Sequence, residues 1–199
     1  MKNIKAIIFD AYGTLFDVNS AAEKCKDKIG GKWEAFANFW RTTQLEYTWL
    51  RSLMERHKDF WLVTEDSLDK SMKAFNIDLS MKEELLNLYK VLSPYKEVPE
   101  TLKTLKEKNF KLAILSNGTP SLLNELVKSN NLENLFDDIF SIEEVGIYKP
   151  SSKVYDIPIQ KYNIEKSEVA FLSANTWDVS GGGNYGYQSI WINRNDNIF

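Results

Sequence analysis

Short, uninterrupted apolar runs punctuate the chain at Ile7 to Phe9, Leu112 to Leu115, Val169 to Leu172 and Ile190 to Ile192. Runs of this length without polar alternation fit strands covered on both faces, as in a parallel sheet packed between helices. Helical spacing lies between the later runs. Leu102 and Leu105 follow Pro99, while Leu122, Leu123, Leu126 and Val127 follow Thr119 and Pro120, a capping residue and a first helical residue. Strands alternating with helices predict an α/β fold, a doubly wound parallel sheet with right-handed crossovers.

From about residue 21 to residue 92 the pattern changes, with no strand-like run and apolar residues at helical spacing throughout. Trp33, Phe36, Trp40, Tyr47, Leu50 and Met54 make one series, and Leu68, Met72 and Phe75 another. Ser80 with Glu83 predicts a capping box ahead of Leu85, Leu86, Tyr89 and Leu92. The segment reads as a helical insertion after the first strand. It divides the chain into a core of residues 1–15 and 96–199 and an inserted all-helical cap of residues 16–95, with Pro94 and Pro99 bracketing the return. Two features run against the pattern. Pro158 falls inside a helix drawn from Ser152 to Tyr162, and Gly181, Gly182 and Gly183 fall where the helix after the Val169 to Leu172 run should begin. An interior proline costs about 3 kcal/mol and an interior glycine up to about 1 kcal/mol relative to alanine, so kinked or late-starting helices are expected there.

Apolar residues at 43% and aromatics at 13% of 199 residues suffice for a buried core. A net charge of -3, with no Lys/Arg block, supplies no concentrated positive field for nucleic acid or an acidic membrane surface, which leaves a small-molecule partner. Met1 and Lys2 lead directly into the first apolar run, which is too short for a signal peptide or a membrane span. The lone cysteine, Cys25, rules out an intramolecular disulfide and fits a reducing cytoplasm. The lone histidine, His57, is expected on the cap surface; it cannot build a multi-histidine metal site, so nucleophilic chemistry falls to carboxylate, Lys, Arg and Ser side chains. The spacing of Gly181 to Gly183 matches neither a P-loop nor a dinucleotide fingerprint.

In a doubly wound sheet, ligands gather at the carboxyl ends of the strands. The first run exits into Asp10, Ala11, Tyr12, Gly13 and Thr14; the second into Ser116, Asn117 and Gly118; the third into Ser173, Ala174, Asn175, Thr176, Trp177 and Asp178. Lys149, beside Pro150, comes from the loop between the last two. Each has a structural reading when taken alone, as a turn former, a turn sequence or a solvated bend. Their joint placement at successive strand ends points to a site.

The set resembles the four loops of the haloacid dehalogenase superfamily: a nucleophilic Asp in a DxxGT segment, a Ser/Thr after the second strand, a Lys, and an acidic loop. The resemblance covers the whole chain and implies a Rossmann-like core with a helical cap. Phosphatases of the superfamily carry a second Asp two residues after the nucleophile to protonate the leaving alcohol, and here that residue is Tyr12. Halide is a very weak base and leaves without a proton, so losing that acid suits carbon-halogen cleavage and damages phosphate ester cleavage. The loop from Ser173 to Asp178 offers one carboxylate, a thin magnesium site. Together with Arg41 to Arg51, Ser173 to Val179 and Trp191 to Arg194, this narrows the resemblance to the L-2-haloacid dehalogenases, and implies neither cofactor nor metal.

The resemblance implies that Asp10 attacks C2 of a short 2-haloacid and that water then cleaves the ester. Lys149 would pair with Asp10, Thr14 and Ser173 would orient its oxygens, and Ser116 with nearby backbone N–H groups would hold the substrate carboxylate. Arg41, Asn117 and Trp177 would stabilise the departing halide, and Asn175 and Asp178 would place the water. Ala11, Tyr12 and Tyr155 would complete the site, while Trp40, Phe60 and Trp61 would line the substrate pocket or pack the cap on the core. A homodimer is implied, as is a further edge strand or helix beyond the stretch from Trp191 to Phe199. Two rivals stay open on sequence alone: a magnesium-dependent phosphatase lacking its usual acid, and a catalytically silent binding protein of the same fold.

Overall fold

The structure is a computed structural model that describes residues 3–194, 196, 198 and 199. The lead-in of Met1 and Lys2, and positions 195 and 197 of the C-terminal stretch, lie outside the described residues. Five parallel strands, β1 (Ala6–Phe9), β2 (Lys111–Ser116), β3 (Asp138–Ser141), β4 (Val169–Ser173) and β5 (Gln188–Trp191), form one sheet in the order β3-β2-β1-β4-β5. The apolar runs supply the middle of it. β1 is buried along its whole length and β2 exposes only Lys111, whereas edge strand β5 is half-buried throughout.

Between β1 and β2 lie α1 (Ser20–Lys24), α2 (Lys26–Ile29), α3 (Trp33–Leu53), α4 (Phe60–Phe75) and α5 (Lys82–Lys90), as the helical spacing predicts. The main body of this layer is α3 packed on α4, with Phe36, Trp40, Gln44 and Thr48 facing a stripe of Val63, Thr64, Ser67, Leu68 and Met72. Asp59 starts α4 by accepting from the Leu62 N–H at 2.9 Å. The two connectors to the sheet run side by side, Asp17 N–H donating to the Ser93 carbonyl at 2.9 Å and Tyr95 N–H to the Leu15 carbonyl at 3.0 Å. Four helices follow: α6 (Val98–Glu107), α7 (Pro120–Ser129), α8 (Ser152–Tyr162) and α9 (Thr176–Tyr185). Among the described residues no helix is long and apolar enough to cross a membrane.

The strand order reverses at β1. The chain passes from β1 through β2 to β3 on one side, then crosses back through α8 to β4 and β5 on the other. A crevice between the carboxyl ends of β1 and β4 is the geometric result, because the connections leave those two ends in opposite directions.

At β3, at the start of α5 and in α9 the local structure departs from the sequence reading, whereas the helix drawn from Ser152 to Tyr162 is present. β3 escapes the sequence pattern because only Ile139 and Phe140 are apolar there. The Ser80 and Glu83 box does not cap α5; the chain enters through a 3₁₀ turn, Leu79–Met81, whose own cap is the Asp78 carboxylate on the Ser80 N–H at 2.9 Å. α8 runs through Pro158. α9 begins at Thr176 and continues through all three glycines. The reason is packing: a Cβ on Gly182 would lie 2.7 Å from Phe171 Cδ1 and 2.9 Å from Ser189 Oγ, so the bare helix backbone rests on β4 and β5.

These contacts separate two neighbouring glycines. Gly183→Ala meets nothing closer than 3.8 Å on an exposed turn of helix and should raise stability by about 0.5–1 kcal/mol. Gly182→Ala should lower it by about 1–3 kcal/mol through overpacking. Urea denaturation midpoints of the two variants check the opposite signs.

Candidate active site

Each strand end delivers one part of a single cluster. Asp10 leaves β1 with its backbone N–H on the Leu172 carbonyl at 2.9 Å, which fixes the residue between β1 and β4. Its side chain is buried, and all of its geometry is set by three donors. Lys149 Nζ lies 3.2 Å from Oδ1. Thr14 Oγ1 donates to Oδ2 at 2.8 Å and Asn175 Nδ2 donates to the same oxygen at 2.9 Å. Thr14 is itself held, accepting from the Ala174 N–H at 2.8 Å, while Arg194 donates twice to its carbonyl, from Nε at 3.0 Å and Nη2 at 2.6 Å. That guanidinium also pairs with Glu97 at 2.7 Å and stacks 3.6 Å from the Tyr95 ring centroid.

The Lys149 side chain is wholly buried. Its ammonium bridges two carboxylates, Asp10 and Asp178, the latter at 2.9 Å, over the face of the Phe171 ring. Tyr155 donates to the other Asp178 oxygen at 2.7 Å. Burial pushes the Asp178 carboxyl up from its usual value; the Lys149 ammonium pulls against this and Asp10 adds to the rise. Burial likewise raises the Tyr155 and Tyr12 phenols, which stay protonated. The Lys149 backbone is positioned from both sides. Its N–H donates to Asn117 Oδ1 at 3.1 Å. The preceding residue, Tyr148, donates from its N–H to Ser52 Oγ at 3.1 Å and from its hydroxyl to the Lys58 carbonyl at 2.6 Å.

The helical layer closes over this floor. Arg41 on α3 donates from Nη2 to the Tyr12 carbonyl at 3.2 Å. The Tyr12 ring packs on Phe60 with centroids 5.1 Å apart and stacks on Tyr89 at 5.6 Å and 13°. A Cβ on Gly118 would lie 2.8 Å from the Tyr12 ring, so the Ser116 to Gly118 loop meets that ring only through a glycine. Trp177 packs edge-on against Trp49 at 5.5 Å.

The other expected residues make the following contacts. Ser173 turns its hydroxyl to the Asn175 N–H at 3.2 Å, and Asn175 makes the contact to Asp10. Ser116 is fully buried and accepts from the Gly118 N–H at 3.1 Å. Asn117 spends its carbonyl oxygen on the Lys149 backbone. Ala11 is buried beneath Tyr12, its carbonyl accepting from the Leu15 N–H at 2.9 Å. Trp40 lies one ring behind the site, against Tyr89 at 5.2 Å, with its indole N–H on the Thr64 carbonyl. Trp61 carries Lys90 on its ring face, 5.0 Å from the centroid. His57 pairs with Glu143 at 2.9 Å. Sequence reasoning missed Tyr148, Gln44, Thr64 and Tyr89. The available signal was Gln44, a polar residue four positions after Trp40 and three after Arg41, on the apolar stripe of α3.

Magnesium does not fit this donor set. Among the described residues no three His, Cys, Asp or Glu side chains cluster as metal ligands, and the two carboxylates that approach each other share an ammonium. Magnesium demands octahedral oxygen ligands.

Residues 4–186 match the family model of haloacid dehalogenase-like hydrolases. The chain is 41% identical over 201 residues to an (S)-2-haloacid dehalogenase of Pseudomonas sp. (strain YL), covering 100% of this chain and 87% of that protein. It is 37% identical over 197 residues to (S)-2-haloacid dehalogenase 4A of Burkholderia cepacia, covering 98% and 85%. Its fold matches the structure of L-2-haloacid dehalogenase from Xanthobacter autotrophicus with chloropropionic acid covalently bound at a TM-score of 0.88 and 37% identity, over 95% of this chain and 77% of the other.

Removing the ammonium leaves two buried carboxylates facing each other. Lys149→Met should therefore cost about 3–5 kcal/mol near neutral pH. In that variant the Asp178 carboxyl, raised by burial and no longer pulled down by the ammonium, binds a proton more readily than it does in the unfolded chain, so acid favours the folded state and the deficit should shrink as pH falls. Urea denaturation at about pH 7 and about pH 5 reads the difference.

Proposed function

The chain belongs to the haloacid dehalogenase-like hydrolase family, and we propose that it hydrolyses short L-2-haloalkanoic acids to D-2-hydroxy acids through an ester on Asp10. The observation that carries this reading is a buried carboxylate held by Lys149, Thr14 and Asn175, with the stacked Tyr12 ring where a phosphatase keeps its proton donor. Such a carboxylate is a nucleophile for a leaving group that needs no acid.

In the first step an Asp10 oxygen forms a bond to C2 from the side opposite the halogen; the carbon-halogen bond breaks, halide keeps the electron pair, and C2 inverts. An anion attacking an anionic acid needs compensation, which a dry site makes both necessary and effective. Lys149 supplies it at Asp10, Ser116 and neighbouring backbone N–H groups hold the substrate carboxylate, and Arg41 with Asn117 and Trp177 receives the halide. Ala11, Tyr12 and Phe60 border the substrate, and Trp40 supports Tyr89 behind it. In the second step water, placed by Asn175 and Asp178, adds to the Asp10 carboxyl carbon. The bond from that carbon to the substrate oxygen breaks, one water proton goes to that oxygen to give the product alcohol, the other is released to solvent as the carboxylate is restored, and Ser173 and Tyr155 keep Asn175 and Asp178 in place. No step needs a metal or cofactor.

The layer from α1 to α5 acts as the cap, residues 16–95, over a core of residues 1–15 and 96–199. The adjacent connectors at Leu15 to Asp17 and Ser93 to Tyr95 support this division. Exposed Leu50, Leu53 and Met54 at the end of α3 support a homodimer. The buried lone thiol Cys25 fits the cytoplasm.

Halide should be released from L-2-chloropropionate with EDTA present. In a single turnover in isotopically labelled water, product oxygen should come from the protein and label should enter Asp10, by mass spectrometry; label entering the product directly would exclude the ester. Asp10→Asn should lose at least about 10⁴-fold in turnover with its circular dichroism unchanged. Magnesium-stimulated phosphate ester hydrolysis without halide release would overturn the proposal.

A further inference from the structure

Gln44 has no part in the scheme above, yet it is only 1% exposed and both ends of its amide are engaged. Its Oε1 accepts from Arg41 Nη1 at 2.9 Å and from the Tyr89 hydroxyl at 3.3 Å. Its Nε2 donates to Thr64 Oγ1 at 2.7 Å and lies 3.0 Å from the Tyr89 hydroxyl. The partners decide which end of the amide points where. Thr64 commits its only hydroxyl proton to the Phe60 carbonyl at 2.7 Å, so toward Gln44 it can only accept. The amide nitrogen must therefore face Thr64, and the oxygen must face Arg41. Reversed, the amide would set donors against the guanidinium.

The result is a fixed chain across three helices: Phe60 and Thr64 on α4, Gln44 and Arg41 on α3, and Tyr89 on α5, ending at the Tyr12 carbonyl beside the nucleophile. A free arginine side chain loses about 2 kcal/mol of rotamer freedom when fixed, and here a neutral acceptor on either side holds it without cancelling its charge. Two of its five N–H donors are used on Gln44 and Tyr12, and the guanidinium also lies beside the Tyr89 hydroxyl.

We infer that Gln44 is a positioning residue for the carbon-halogen step: it holds the Arg41 guanidinium over the Asp10 loop with its charge and remaining donors available to the departing halide. This rests on the dehalogenase reading. A neutral amide is required, because a carboxylate at this place would grip Arg41 equally well and quench the charge that the halide needs.

Rapid-quench single turnover on L-2-chloropropionate separates halide release from ester hydrolysis. Gln44→Met should slow halide release about 10- to 100-fold and leave hydrolysis of the ester unchanged. Gln44→Glu should slow the same step. Added to Arg41→Ala, Gln44→Met should produce no further loss. Thr64→Val, which frees the amide to turn, should also slow halide release, and Thr64→Ser should restore it; this pair carries the test if Gln44→Met does not fold. Equal slowing of both steps, a loss that multiplies with that of Arg41→Ala, or unchanged halide release in Gln44→Met would overturn the inference alone. A wild-type protein that releases no halide overturns the dehalogenase reading and this inference with it.

Discussion

One ammonium between two buried carboxylates sets the terms for everything around it. Lys149 has no exposed side-chain surface and meets Asp10 at 3.2 Å and Asp178 at 2.9 Å. Taking three charges out of water is costly, and attraction offsets the cost only when the remaining lone pairs find donors. The surrounding residues fit that demand. Thr14 and Asn175 satisfy Asp10, and Tyr155 satisfies Asp178. Two strand ends, the loop carrying Lys149 and helix α8 must converge to supply them, and the reversal of strand order at β1 is what brings the two strand ends together.

The same logic explains why the helix after β4 carries glycines. Asp178 lies in the first turn of α9 and reaches Lys149 only because the helix lies close on the sheet. A Cβ on Gly181 would come within 2.5 Å of the Tyr155 hydroxyl and 2.7 Å of Pro150. Helix propensity is given up so that the backbone can approach. On the opposite side the α3, α4 and α5 layer supplies Arg41 and the aromatic stack of Tyr12, Phe60 and Tyr89.

What the sequence made legible follows from range. Apolar runs of three or four residues reported β1, β2 and β4, and the Thr119-Pro120 pair reported a real cap, with Thr119 accepting from the Leu122 N–H. Asp10, Thr14, Lys149, Asn175 and Asp178 were visible because each leaves a strand or sits beside Pro150. Lost were features decided by distant partners. Edge strand β3 has too few apolar residues to show a period. The glycine helix is fixed by Phe171 and Ser189 rather than by its own propensity. Gln44 depends on Thr64 and Tyr89, 20 and 45 positions away. Asn175 makes the contact to Asp10 that Ser173 was expected to make, because the orientation of a hydroxyl leaves no trace in spacing.

Tyr148 ties the lysine to the roof as well as to the floor. Its N–H and hydroxyl hang from Ser52 and Lys58, both in the helical layer, while the next N–H along the chain is moored to Asn117 at the sheet. The counter-ion of the central carboxylate is thus suspended between the helical layer and the sheet. The place of the positive charge beside Asp10 is therefore set as much by where α3 lies as by the strand ends.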